Sequence, residues 1–131
     1  MEVQQTRISL TKAYEPQAVY YHEADIVEYI RRDAASVHRR IDELLTLLLD
    51  MESREPIGFS LKGFRNFYLS HMQRQQEIFT SDFVMLTKVL EQAVTVFGDS
   101  LFDEKRKEAY RTAHDIAEED RVSLTDLPHA A

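Results

Sequence analysis

Two spacings divide this chain: up to about residue 63 apolar side chains mostly alternate with polar ones, and beyond it they recur every three or four positions. Residues 6–12 set Ile8 and Leu10 between polar neighbours and predict a short strand. Residues 18–30 are dense in β-branched and aromatic side chains, which favour a pleated surface, and predict a strand bent near Glu23 and Ala24. Residues 33–52 point two ways. Val37, Ile41, Leu44, Leu48 and Met51 fall at helical spacing behind an Asp33 or Ser36 cap, while the leucines of 44–49 also suit a strand buried on both faces. The polar run 50–55, closed by Pro56 and followed by the alternating Ile57, Phe59 and Leu61, reads as a turn feeding a strand. Antiparallel pairing closes such a turn economically, so 44–49 becomes the neighbouring strand.

After Gly63, the residues Phe64, Phe67, Tyr68, Met72, Ile78 and Phe79 fit one helical face. Phe83, Leu86, Leu90, Ala93, Val94 and Phe97 form the clearest amphipathic stripe, and Gly98 suits its C-terminal cap. Ser100 and Asp103 resemble a weakened capping box for a last helix running to about Glu119, with Phe102, Ala109, Tyr110, Ala113 and Ile116 on one face. The tail 121–131 lacks periodicity and is expected to be mobile unless Val122 or Leu124 docks it.

These elements predict an α+β fold: an N-terminal antiparallel meander of three or four strands packed on C-terminal helices. The rival is an all-α bundle in which 33–52 keeps its helical period. The 131 residues suit one domain, with 1–63 mainly strands, 64–120 helices and 121–131 a tail. A formal charge of -7, from 23 acidic against 16 basic residues, argues against a nucleic-acid partner. Apolar runs are far shorter than the roughly 20 residues of a membrane span, so no membrane association is expected. The polar start Glu2, Gln4, Gln5 does not fit a secretory signal, and the absence of cysteine fits a reducing compartment, so a cytoplasmic location is expected.

Residues 20–30, 40–50 and 56–61 together resemble a small bacterial domain-of-unknown-function family. Its members open on a strand approximating Tyr-Asp-x-Glu-Ala-Asp-Ala-Leu-Tyr-Ile and close on a Val-Gly-Ile-Glu-Ile strand. The resemblance covers about residues 18–63 and implies a compact antiparallel meander. It also implies an antitoxin-like role, in which an acidic surface masks a basic protein partner. His22 stands where that family has Asp, and the turn before Pro56 lacks its customary glycine.

No nucleophile, base and orienting group assemble in the sequence, so no catalytic residue and no cofactor are assigned and a non-catalytic protein is expected. His22, Glu23 and Asp25 are metal-ligand types close together. In a strand, however, His22 points away from the other two, which makes His22 and Asp25 weak candidates and a solvated rim the simpler reading. His71, beside the Phe67, Tyr68 and Met72 face, is a third weak candidate; His38 and His114 read as surface histidines. Gly58 and Gly63 flank no Lys-Ser or Lys-Thr pair, so the segment is strand rather than phosphate loop. Arg31, Arg32, Arg39 and Arg40 concentrate positive charge, read as cross-strand ion pairs more readily than as an anion site. Seven phenylalanines and six tyrosines exceed what so small a core needs, so Phe64, Phe67, Tyr68 and Phe79 are interface candidates. The expected function is a protein-interaction or regulatory module that forms a homo-oligomer; the alternative is a small-ligand or metal-binding sensor.

Overall fold

The computed structural model describes residues 14–73, 83–98 and 103–128. The expected strand at 6–12, Phe79, Ser100 and Phe102 lie outside them. Five antiparallel strands form one sheet: β1 (Val19–Tyr21), β2 (Ile26–Ile30), β3 (Ser36–Arg40), β4 (Leu45–Asp50) and β5 (Pro56–Lys62), in the order β1-β2-β5-β4-β3. Among the described residues three helices follow: α1 (Phe64–His71), α2 (Leu86–Phe97) and α3 (Glu104–Glu119). A two-stranded ribbon pairs β6 (Val84–Met85) with β7 (Ser123–Leu124). The fold is α+β, as the alternation predicted, and the all-α alternative does not apply. The main sheet has five strands against the three or four expected: the segment read as a single bent strand is the hairpin β1-β2, turned at His22–Asp25, and Ser36–Arg40 adds β3 beside the leucine strand.

The leucine-rich middle is a strand for a local reason and a long-range one. Asp42 Oδ1 accepts the amides of Leu44 and Leu45 at 2.9 and 2.7 Å, which diverts those amides from a helix. Leu45 then pairs with Leu61 and Leu47 with Phe59, burying both against the helical layer, while Leu48 is buried on the opposite face. The connection from β2 to β3 crosses the ends of β5 and β4. Three strand spacings of about 4.8 Å are about 14 Å, within reach of five linking residues at about 3.3 Å each. Arg31 N–H donates to Ile57 O at 2.8 Å and Met51 N–H to Ala35 O at 3.0 Å, stitching that crossing to the sheet.

The β4-β5 ladder shifts register between Leu48 and Leu49, and on its other side β5 lies close to β2 at Gly58. A Cβ there would stand 2.1 Å from Tyr29 O, so only glycine fits. One face of the sheet carries Tyr20, Val27, Tyr29, Leu45, Leu47, Phe59 and Leu61, and the helices cover it. From α2 the buried positions are Leu86, Val89, Leu90 and Ala93, whereas Phe83 and Val94 of the predicted stripe are exposed. Gly98 ends α2 with φ 71, and Asp103 caps α3 by accepting the Arg106 amide at 2.8 Å. The tail is docked as far as residue 128: Val122 and Leu124 are buried, and Val122 O accepts the Leu86 amide at 3.0 Å.

Candidate functional site

Three aspartates join the sheet to the helical layer. Asp25, in the left-handed region at φ 58, accepts the Arg65 amide and the Tyr20 hydroxyl on Oδ1, each at 2.8 Å, and so caps α1 from the β1-β2 turn. Burial and that hydrogen bond push the Tyr20 hydroxyl up to about 12. Asp42, in the β3-β4 turn, accepts Tyr110 Oη at 2.8 Å and Arg106 Nη2 at 3.0 Å, holding the first half of α3. Burial, then the Asp42 charge, raises the Tyr110 hydroxyl well above its ordinary value. At the other end of α3, Asp120 accepts Tyr29 Oη at 2.7 Å and takes Arg31 through Nε and Nη2 at 3.0 and 2.9 Å. Burial alone would raise the Asp120 carboxyl; the bonds from Arg31 and Tyr29 outweigh it and hold the carboxyl below its ordinary range.

Pinned at both ends, α3 lies beside α2 and leaves a groove of about 410 Å³ between them. Leu90 and Val94, one turn apart on α2, give it an apolar wall. Lys107, Tyr110, Arg111 and His114, at helical spacing on α3, give it the other. His114 Nε2 and Glu91 Oε2 meet across the groove at 2.8 Å, and Lys88 lies 3.7 Å from Glu91. Among the described residues, Lys107 and Arg111 have no ion-pair partner. Val94 is 40% exposed, so an apolar side chain and two uncompensated cations share one open surface.

The sequence candidates are distributed differently. Phe64, Phe67 and Tyr68 are 0%, 6% and 2% exposed: they cover the sheet and are core, not a free interface, because that face needs aromatic cover. His22 is exposed and bonded to Asp126 at 2.7 Å, while Asp25 is committed to capping, so the structure uses the two separately. His71 is exposed, with its ring 5.0 Å from that of Phe67. Among the described residues, the group with metal-ligand spacing is His114, Asp115 and Glu118, whose ligand atoms lie within 4.8 Å of one another. Of the arginines expected to make cross-strand ion pairs, Arg31 instead pairs with Glu119 and Asp120 at the end of α3, Arg32 pairs with Asp50 of β4, and Arg40 donates to the backbone carbonyl of Asp42. The groove residues Lys107 and Arg111 went unrecognised because helix-face cations read as solvated charge. The available signal was their spacing of four around Tyr110, opposite a stripe with one apolar residue too many, Val94.

The chain matches no family model, no curated protein and no solved structure. The groove is therefore interpreted from its own chemistry.

Proposed function

We propose that this chain is a non-catalytic protein-interaction module whose α2-α3 groove accepts an acidic amphipathic helix of a partner protein. The observation that carries this reading is the pair of cations Lys107 and Arg111, one turn apart and without an ion-pair partner among the described residues, beside a wall formed by the buried Leu90 and the exposed Val94. A helix laid in a groove anchors apolar side chains at spacings of three and four. Carboxylates on its flanks would meet Lys107 and Arg111, and complementary charge favours encounter and register. The non-catalytic reading is supported by the use of Asp25 and Asp42, whose oxygens hold backbone amides and tyrosine hydroxyls between layers. The basic rim favours an acidic partner over the basic one that the antitoxin-like resemblance implied.

The test is fluorescence anisotropy with a labelled helical peptide carrying leucines four apart between glutamates. Binding with a Kd on the order of 10–100 µM is expected, weakened at least tenfold by Lys107→Glu with Arg111→Glu. A scrambled peptide of equal composition that binds equally well would sink the reading. Dimerisation by light scattering that disappears with Val94→Glu would make a second copy the occupant instead.

A second reading, the metal-binding sensor, is favoured by His114, Asp115 and Glu118 beside the groove. Micromolar zinc or manganese binding that His114→Ala abolishes would support it.

A further inference from the structure

A second cleft lies on the other side of α3, against the β3 edge of the sheet. It holds about 230 Å³ and is lined by Arg39 of β3, Arg54 of the β4-β5 turn, Lys105 and Thr112 of α3, the opposing carboxylate Glu108, and an apolar floor that includes Leu47 and Pro56. Three cations therefore converge from three separate elements against one acid. Among the described residues, none of the three has an ion-pair partner.

Two features set this apart from a solvated charge run. Arg39 pairs in register with the buried Leu47, so it projects from the face of the sheet that the helices cover. One inward charge would suffice to protect an edge strand from pairing with another chain; here a turn and a helix each add another. Arg54 stands in the left-handed region at φ 65, where glycine or asparagine carries no comparable strain. Strain kept by a bulky side chain is a pointer to use rather than to stability.

We propose that this cleft binds a phosphomonoester dianion, with Arg39, Arg54 and Lys105 taking the phosphate oxygens, the Thr112 hydroxyl donating a further hydrogen bond, and the apolar floor receiving the ester group. The cavity is smaller than the roughly 300 Å³ at which drug-sized pockets begin, in keeping with one phosphate and a small apolar substituent. Guanidinium groups match phosphate geometry by paired N–H donors. Glu108 opposes the dianion and limits affinity. The site is separate from the α2-α3 groove, so the peptide experiment and this one fail independently.

The experiment is a titration of the full chain followed by amide chemical shifts, with phenyl phosphate in one arm and a short phosphoserine peptide in the other. The unphosphorylated compounds serve as controls. A Kd on the order of 1 mM or tighter is expected in at least one arm, and the tighter arm identifies a small-molecule or a protein-borne phosphate. Arg54→Asn should weaken binding about tenfold with an unchanged or higher Tm, because asparagine tolerates the left-handed backbone. Arg39→Gln should weaken it similarly, and Glu108→Gln should tighten it about threefold. Absence of binding in both arms overturns the proposal. So does binding that is indifferent to Arg39→Gln, Arg54→Asn and Glu108→Gln alike, since it would lie elsewhere on the molecule.

Discussion

The cations on the two sides of this molecule are used differently. On the sheet side Arg31, Arg32 and Arg40 each bond a carboxylate or a carbonyl of the same chain, and Arg31 does so bidentately at the end of α3. Around α3, Arg39, Arg54, Lys105, Lys107 and Arg111 line two clefts without ion-pair partners among the described residues. A chain with seven more acidic than basic residues has carboxylates to spare for pairing. Among the described residues, the cations that join the layers, Arg31 and Arg106, are thus paired with carboxylates while those lining the clefts are not, which separates groups that hold the fold from groups available to meet something else.

The sheet side is the more easily broken. Gly58→Ala would drive a Cβ to 2.1 Å from Tyr29 O and 2.9 Å from Ile30 Cα, both backbone atoms that cannot move without parting β2 from β5. We expect a loss of at least about 3 kcal/mol, measured by urea denaturation. A wild-type midpoint would mean that the close approach of β2 and β5 is absent.

That approach marks how far the sequence was legible. Alternation along Ile57, Phe59 and Leu61 identified β5, and the polar turn before Pro56 carried the inference that the leucines of β4 pair with it, against their helical spacing. The hairpin β1-β2 was read as a bend because its turn depends on Asp25 adopting φ 58, and what holds Asp25 there is the distant amide of Arg65. The aromatics Phe64, Phe67 and Tyr68 looked surplus because the area of sheet needing cover cannot be counted from spacing. The α2-α3 groove was hidden for a related reason. Whether Lys107 and Arg111 are paired depends on where α2 lies, which no pattern within α3 encodes.

Asp120 allows a smaller, pH-dependent test of the paired side. Its folded-state pKa lies below the unfolded value of about 3.9, because the Arg31 and Tyr29 bonds outweigh burial. Its contribution to stability is therefore full above the unfolded pKa and is lost as pH falls through the folded one. Asp50, held low chiefly by the amides of Ser53 and Glu52, acts in the same direction. Asp120→Asn should cost about 1–2 kcal/mol at neutral pH and make the decline in stability below about pH 4 shallower. Thermal melts from pH 7 to pH 2 read both effects. A decline as steep as that of the wild type would remove Asp120 from the acid response.

The smallest expected effect sharpens the comparison most. Lys107→Gln with Arg111→Gln removes two cations that pair with no carboxylate among the described residues, so stability should stay within about 0.5 kcal/mol of wild type. Arg31→Gln, one substitution on the sheet side, should cost about 1–2 kcal/mol because it leaves Asp120 with its charge and only the Tyr29 hydroxyl. Net charge separates the two cases further. Each loss of a cation makes the chain more acidic, so the double variant carries the larger long-range repulsion and still should be the more stable of the two. If denaturation ranked them the other way, Lys107 and Arg111 would be structural cations holding α3 to α2, and the groove would lose the free charge on which partner recognition depends.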